Sequence, residues 1–192
     1  MKETFSLTPF SSSELDLKIT GTIERRDRHL AVRYDLVGNL SEVVLPLEVG
    51  EERSAADFPK RKHELWKTTC FEFFFGVKHS DRYWEFNLSP AGHWNVYRFE
   101  DYRYGMEEET ALTTLPFKIE HQPEKLSLAL DCDLSSISAL PFSNEMALSD
   151  RALEVAITAV IESKSGEITY WALTHPGAEA DFHRRDSFII EL

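Results

Sequence analysis

Over most of its length the chain alternates apolar and polar residues one for one. Leu15, Leu17, Ile19 and Ile23 alternate with Asp16, Lys18, Thr20 and Thr22. Leu30, Val32, Tyr34 and Leu36 alternate with Ala31, Arg33 and Asp35, and Gly38-Asn39 closes that run. Leu126, Leu128, Leu130, Cys132 and Leu134 alternate with polar or small residues. A period of two puts successive side chains on opposite faces and marks strands with one buried side. The charged segment Glu24 to Arg28 reads as the turn between the first two. Val43 to Leu47 is a short third run, which Pro46 assigns to an edge or a bulge. Leu153 to Glu162, with VAITAV at its heart, is apolar on both sides and predicts a central strand. A turn through Gly166 leads to a hairpin partner at Ile168 to Leu173. Phe117 to Gln122 and Phe188 to Leu192 complete the set. Glu48 to Glu64, Glu100 to Pro116, Ser135 to Ser149 and Thr174 to Ser187 break the pattern and read as connections.

The densest strand signal runs from Leu65 to Phe99, in three pieces: Thr69 to Val77, Tyr83 to Ser89 and Trp94 to Phe99. The alternation sends Phe71, Phe73 and Phe75 one way and Cys70, Glu72 and Phe74 the other. It sets Trp84, Phe86 and Leu88 against Tyr83, Glu85, Asn87 and Ser89. It sets Trp94, Val96 and Arg98 against Asn95, Tyr97 and Phe99. One face is wholly apolar; the other mixes rings with two carboxylates. This predicts a sheet with one core face and one ligand or solvent face. The Ser89-Pro90-Ala91-Gly92 turn joins the last two pieces, since Pro fixes φ and Gly accepts positive φ.

About ten or eleven strands, with neither a long 3.6-residue period nor β-α-β alternation, predict an all-β protein. The expected form is an antiparallel two-sheet β-sandwich of jelly-roll or immunoglobulin-like type. At 192 residues it reads as one domain, residues 1–192. The formal charge of −12 argues against nucleic acid or an anionic membrane as a partner. It leaves a small molecule or a glycan open and says nothing about a protein partner. Cys70 and Cys132, the only two cysteines, form no CxxC pair and read as buried thiols. The start, MKETFSLTPFSSSELDL, has no apolar leader core, so the expected location is cytoplasmic.

The GxSxG, P-loop, GxGxxG and HExxH signatures are absent. Glu72 and Glu85, on one kind of face of neighbouring strands, could serve a glycosidase as acid and as nucleophile or base, or could accept hydrogen bonds from sugar hydroxyls. Alternatively an arginine such as Arg98, Arg103, Arg184 or Arg185 could hold them. His175, Asp181, His183 and Asp186 cluster near the C-terminus in a spacing that fits no strong metal template. Trp66, Tyr97, Trp171 and Phe182 offer rings for stacking on a sugar. Of these, Trp66 and Phe182 fall in polar connections, where large rings more often mark binding surfaces. Trp84 and Trp94 read as core.

Two stretches carry a family resemblance. Leu65-Trp66-Lys67-Thr68-Thr69-Cys70-Phe71-Glu72, with Tyr83-Trp84-Glu85-Phe86-Asn87-Leu88-Ser89-Pro90, resembles the DOMON-like domains related to family 9 carbohydrate-binding modules. Tyr170 to Pro176 and Asp181 to Phe188 extend the resemblance, which covers Phe5 to the C-terminus. It implies a β-sandwich that binds a sugar or a haem and is usually not an enzyme. It implies that Trp66 and Glu72 act as a pair on the sugar. Asn87 stands where the modules place an arginine, and Phe182 where they place a second tryptophan. Met106 and Met146 lie in no haem motif, and no calcium loop is present, so no cofactor or metal is expected. The expected ligand-contacting set is Trp66, Glu72, Glu85, Asn87, Tyr97, Phe182 and His183, with no catalytic residue. Two alternatives stand beside it: a haem-binding electron-transfer or sensor domain, and a two-carboxylate glycoside hydrolase.

Overall fold

The computed structural model describes residues 1–46, 60–137 and 152–192. Among them are twelve antiparallel strands and no α-helix. They are β1 (Lys2–Pro9), β2 (Leu17–Arg26), β3 (His29–Gly38), β4 (Cys70–Val77), β5 (Tyr83–Leu88) and β6 (Trp94–Phe99), followed by β7 (Glu107–Glu108), β8 (Phe117–Gln122), β9 (Lys125–Asp133), β10 (Leu153–Glu162), β11 (Ile168–Ala172) and β12 (Ile190–Glu191). The hydrogen-bonded order is β7-β6-β5-β4-β10-β11-β1-β2-β3-β9-β8, with β12 also on β10. The expected sandwich forms by curling this one sheet into two layers.

The fold turns at β1. Lys2 to Leu7 pair with β2, while Thr8 and Pro9 pair with Ala172 and Trp171 of β11. One strand therefore belongs to both layers. The sequence reading missed it, because Phe5 and Leu7 alone supply its buried side. Two expected elements differ in kind. Val43 makes only an isolated bridge to Ser163, and the run's last residue, Leu47, lies outside the described residues. The connection expected over Glu100 to Pro116 contains β7. Residues 47–59 of the first long connection, and residues 138–151, with Met146, of the Ser135 to Ser149 loop, lie outside the described residues.

Between the layers sits a core built by the alternation. Ile19, Leu30, Val32, Tyr34, Leu126 and Leu128 face Phe71, Phe73, Phe75, Trp84, Phe86, Val155 and Ile157, all at most 1% exposed. Phe73 stacks on Phe86 at 4.5 Å and Phe75 on Trp84 at 5.3 Å between ring centroids. Such pairs add about 0.5–1.5 kcal/mol beyond their buried area. The Tyr34 hydroxyl crosses the core and donates to the Glu72 carbonyl at 2.6 Å. Trp84 and Trp94 are buried in this core, as their pattern implied, and so is Trp171.

A smaller apolar cluster lies on the other face of the β4-β5-β6 meander. Phe74, Tyr83, Tyr97, Phe99, Ala156 and Phe188 form it, with Trp66 and Phe182 packed at its margin. The chain thus roofs the face that the sequence left open to ligand or solvent. This roof shapes the candidate site.

Candidate functional site

Strand register sets the floor of the site. Asn95, Asn87, Glu72 and Thr158 stand in one cross-strand row of the outer face, and Tyr97, Glu85, Phe74 and Ala156 in the next. Glu72 is paired with Asn87, so Glu85, two residues along β5, is its diagonal neighbour. Diagonal neighbours lie roughly 7–8 Å apart, close enough for their side chains to interact. The sequence expectation that both carboxyls share a face therefore holds.

The roof comes from three connections. A short 3-10 turn, Leu65–Lys67, presents Trp66; it follows Glu64, which adopts left-handed φ of 60°. The loop between β6 and β7 brings Arg103, also left-handed at φ 51°, and Met106. A non-glycine residue in that region is strained, and such strain persists only where the surroundings enforce it. The irregular C-terminal stretch supplies Ala180, Phe182 and His183. Together with Phe99, Val160 and Tyr170 these residues close a cavity of about 410 Å³, with Glu72 and Glu85 in its wall. Trp66 and Phe182 line the same cavity, as expected. Phe182 meets Tyr170 edge-on at 5.9 Å.

Both carboxyls are far more buried than the sequence suggested: Glu72 is 2% and Glu85 4% exposed. Burial disfavours the charged form. It raises Glu72 well above the ordinary carboxyl range, and the neighbouring Glu85 raises it further. Glu72 Oε1 is buried and has no hydrogen-bond partner among the described residues. Glu85 is pushed up to about 7 by burial, against the opposing pull of Asn87 and Arg103. Its Oε1 accepts from Asn87 Nδ2 at 2.6 Å. His183 lies with Nε2 3.9 Å from Glu85 Oε2, and its Nδ1 hydrogen-bonds the Tyr83 hydroxyl at 2.8 Å. Burial, helped by Arg103, lowers His183 to about 4, so the imidazole is neutral near pH 7. Arg103 is committed to Asp181 at 2.8 Å, which also accepts from the Tyr102 hydroxyl. The wall thus holds two carboxyls that burial biases toward their neutral form, an imidazole biased the same way, and flat rings.

Three expected contacts change role. Asn87 is fully buried, does not line the cavity, and spends its amide holding Glu85. Tyr97 stands behind Trp66, meeting it edge-on at 5.6 Å, while its hydroxyl takes a hydrogen bond from Asn95. Trp171 faces the central core. The arginines proposed to hold the carboxylates pair elsewhere: Arg98 with Glu107, Arg184 with Asp186 and Arg185 with Glu154. The C-terminal His/Asp group disperses. His175 meets the Thr8 carbonyl, Asp181 takes Arg103, and Asp186 takes Arg184. Met106 and Tyr170 line the cavity and were not foreseen, while Arg103, one of the arginines expected near the carboxylates, lines it too. Tyr102, Arg103 and Tyr104 form an aromatic loop, so the rule that picked Trp66 and Phe182 applies to it as well.

The architecture and cavity define a class: a curled antiparallel β-sandwich with an aromatic-walled pocket on the outer face of its meander. Solved structures share that fold. A candidate carbohydrate-binding protein from Bacteroides uniformis is 13% identical, with a TM-score of 0.61 over 97% of this chain and 84% of its own. A family 9 carbohydrate-binding module from Caldicellulosiruptor kristjanssonii, in complex with glucose, is 12% identical. Its TM-score is 0.51, over 95% of this chain and 78% of the module. No protein-family model and no curated protein matches the chain.

Proposed function

We propose that the protein is a non-catalytic module that binds a small carbohydrate, a mono- or disaccharide, in the cavity bounded by Trp66 and Phe182. One observation carries this reading: two buried carboxyls, one with an unsatisfied oxygen, face a cavity whose sides are flat rings. Sugar hydroxyls both donate and accept, and would satisfy Glu72, Glu85 and His183. The C–H faces of the ring would rest on the aromatic walls. The volume falls within the range of small-molecule pockets, about 300–1,000 Å³. The shared fold with a glucose-bound module supports the same reading. The negative net charge, and a cavity whose one arginine, Arg103, is paired with Asp181, direct it to a neutral or cationic ligand rather than to nucleic acid.

Isothermal titration calorimetry with a panel of mono- and disaccharides tests the proposal. At least one sugar should bind with Kd below millimolar. Trp66→Ala and Phe182→Ala should each weaken it roughly tenfold, about 1.4 kcal/mol, without changing the far-UV spectrum. Silence across the panel, or unchanged affinity in Trp66→Ala, would refute it.

A further inference from the structure

The cavity carries a surplus of acidic acceptors. Glu72 and Glu85 are diagonal neighbours on the floor, both at most 4% exposed, and Glu72 Oε1 has no hydrogen-bond partner among the described residues. The groups around them come from every packed element. Cys70 stands on β4, Tyr83 and Asn87 on β5, Tyr97 on β6, Arg103 on the following loop, and Asp181 and His183 on the C-terminal stretch. Among these the cation is Arg103, and its guanidinium is already bound to Asp181. Four rings, Trp66, Phe99, Tyr170 and Phe182, complete the wall. Carboxylates beneath aromatic faces, without a committed counter-ion, suit a compact cation. An ammonium offers three donors to the carboxylates and gains from ring faces within about 6 Å.

From this we propose that the ligand is an amino sugar whose ammonium group sits against Glu72 and Glu85, in preference to a neutral hexose. The inference rests on the carbohydrate reading and narrows it. A hydroxyl in that place can hydrogen-bond either form of the carboxyls, but it brings no charge to offset a buried negative one. An ammonium favours an ionised carboxyl and drives off one proton from the pair, so binding is coupled to proton release.

The experiment is calorimetry of the full chain at pH 6 with D-glucosamine and D-glucose, repeated in buffers of different ionisation enthalpy. Burial biases both carboxyls toward their protonated form at that pH. D-glucosamine should bind at least tenfold more tightly than D-glucose. It should release about one proton per ligand, since the two acids titrate as a pair, whereas D-glucose should release none. Glu72→Gln and Glu85→Gln keep the shape of the neutral acid and should remain folded by near-UV circular dichroism. In each, the preference should shrink to within about threefold and the proton release should fall. Equal or tighter binding of D-glucose without proton release overturns the amino-sugar inference and leaves the carbohydrate reading standing. A preference that survives both substitutions places the ammonium elsewhere and overturns it too. No binding of either sugar, nor of any in the wider panel, overturns both.

Discussion

A carboxyl that holds its proton more tightly in the folded chain than in the unfolded one stabilises the fold at low pH. That contribution is complete below the unfolded value near 4.5 and is lost as pH rises through the folded value. Glu72 and Glu85 are both of this kind, because burial raises each of them. For Glu85, moved from 4.5 to about 7, the loss by pH 8 is on the order of 3 kcal/mol. His183 acts in the opposite sense: its neutral form stabilises above its unfolded value, and the benefit disappears as pH falls toward 4. It is common to wild type and variants and cancels in their difference. The double variant Glu72→Gln/Glu85→Gln should therefore match wild type at pH 4.5 and exceed it at pH 8 by more than the roughly 3 kcal/mol of the Glu85 share, Glu72 adding to it. Urea unfolding at the two pH values measures this. Parallel curves for both proteins would mean that the carboxyls are not buried as described. The proposed ligand, by satisfying both carboxyls, would offset the cost of keeping such a pair.

At the scale of elements, β1 and β2 show what the sequence made legible. The run Leu17, Ile19, Ile23 skips its turn at Gly21, where an apolar residue would be due. Phe5 of β1 is paired with Gly21 and fills that place. A Cβ added there would lie 1.9 Å from the Arg33 carbonyl oxygen and 2.4 Å from the Phe5 ring, and the first of these is backbone. Gly21→Ala should cost about 3 kcal/mol, at the upper end of overpacking penalties, visible as a lower urea midpoint at unchanged m-value. A shift below 0.5 kcal/mol, roughly the noise of a surface change, would contradict the packing. The vacancy was readable as an omission; its occupant, a strand with two buried side chains, was not. The meander was readable because each strand alternates over six to eight residues, which assigned Glu72 and Glu85 to one face correctly. Its covering was not, since the stretch holding Phe182 and His183 has no period and meets the sheet through long-range contacts. Asn87 was misread for the same reason. A polar residue on an outer face implies solvent or ligand until the roof is known, and under this roof it becomes a brace for Glu85.

For the whole molecule, the question is whether two layers behave as one cooperative unit. Three features couple them. β1 pairs with strands of both layers, their inner faces form a common core, and the Tyr34 hydroxyl on β3 bonds the Glu72 carbonyl on β4. The tryptophans provide an unequal reporter. Trp84, Trp94 and Trp171 lie on β5, β6 and β11, and Trp66 on the turn before β4, so all four sit with one layer. Leu128, fully buried on β9 and paired with Tyr34, belongs to the other. Leu128→Ala removes apolar contacts worth about 2–5 kcal/mol, far from any indole in the strand order. If the layers unfold together, tryptophan fluorescence and far-UV circular dichroism will shift to lower urea by the same amount and remain superimposable. If they are independent, the fluorescence midpoint will stay where it is in wild type while the circular dichroism splits into two steps. The shared strand and single core argue for the first outcome. It also bears on the site: the floor that carries Glu72 is anchored through its own carbonyl to the opposite layer. Loosening β9 should then weaken the proposed sugar binding at urea concentrations below the main transition only in proportion to the unfolded fraction.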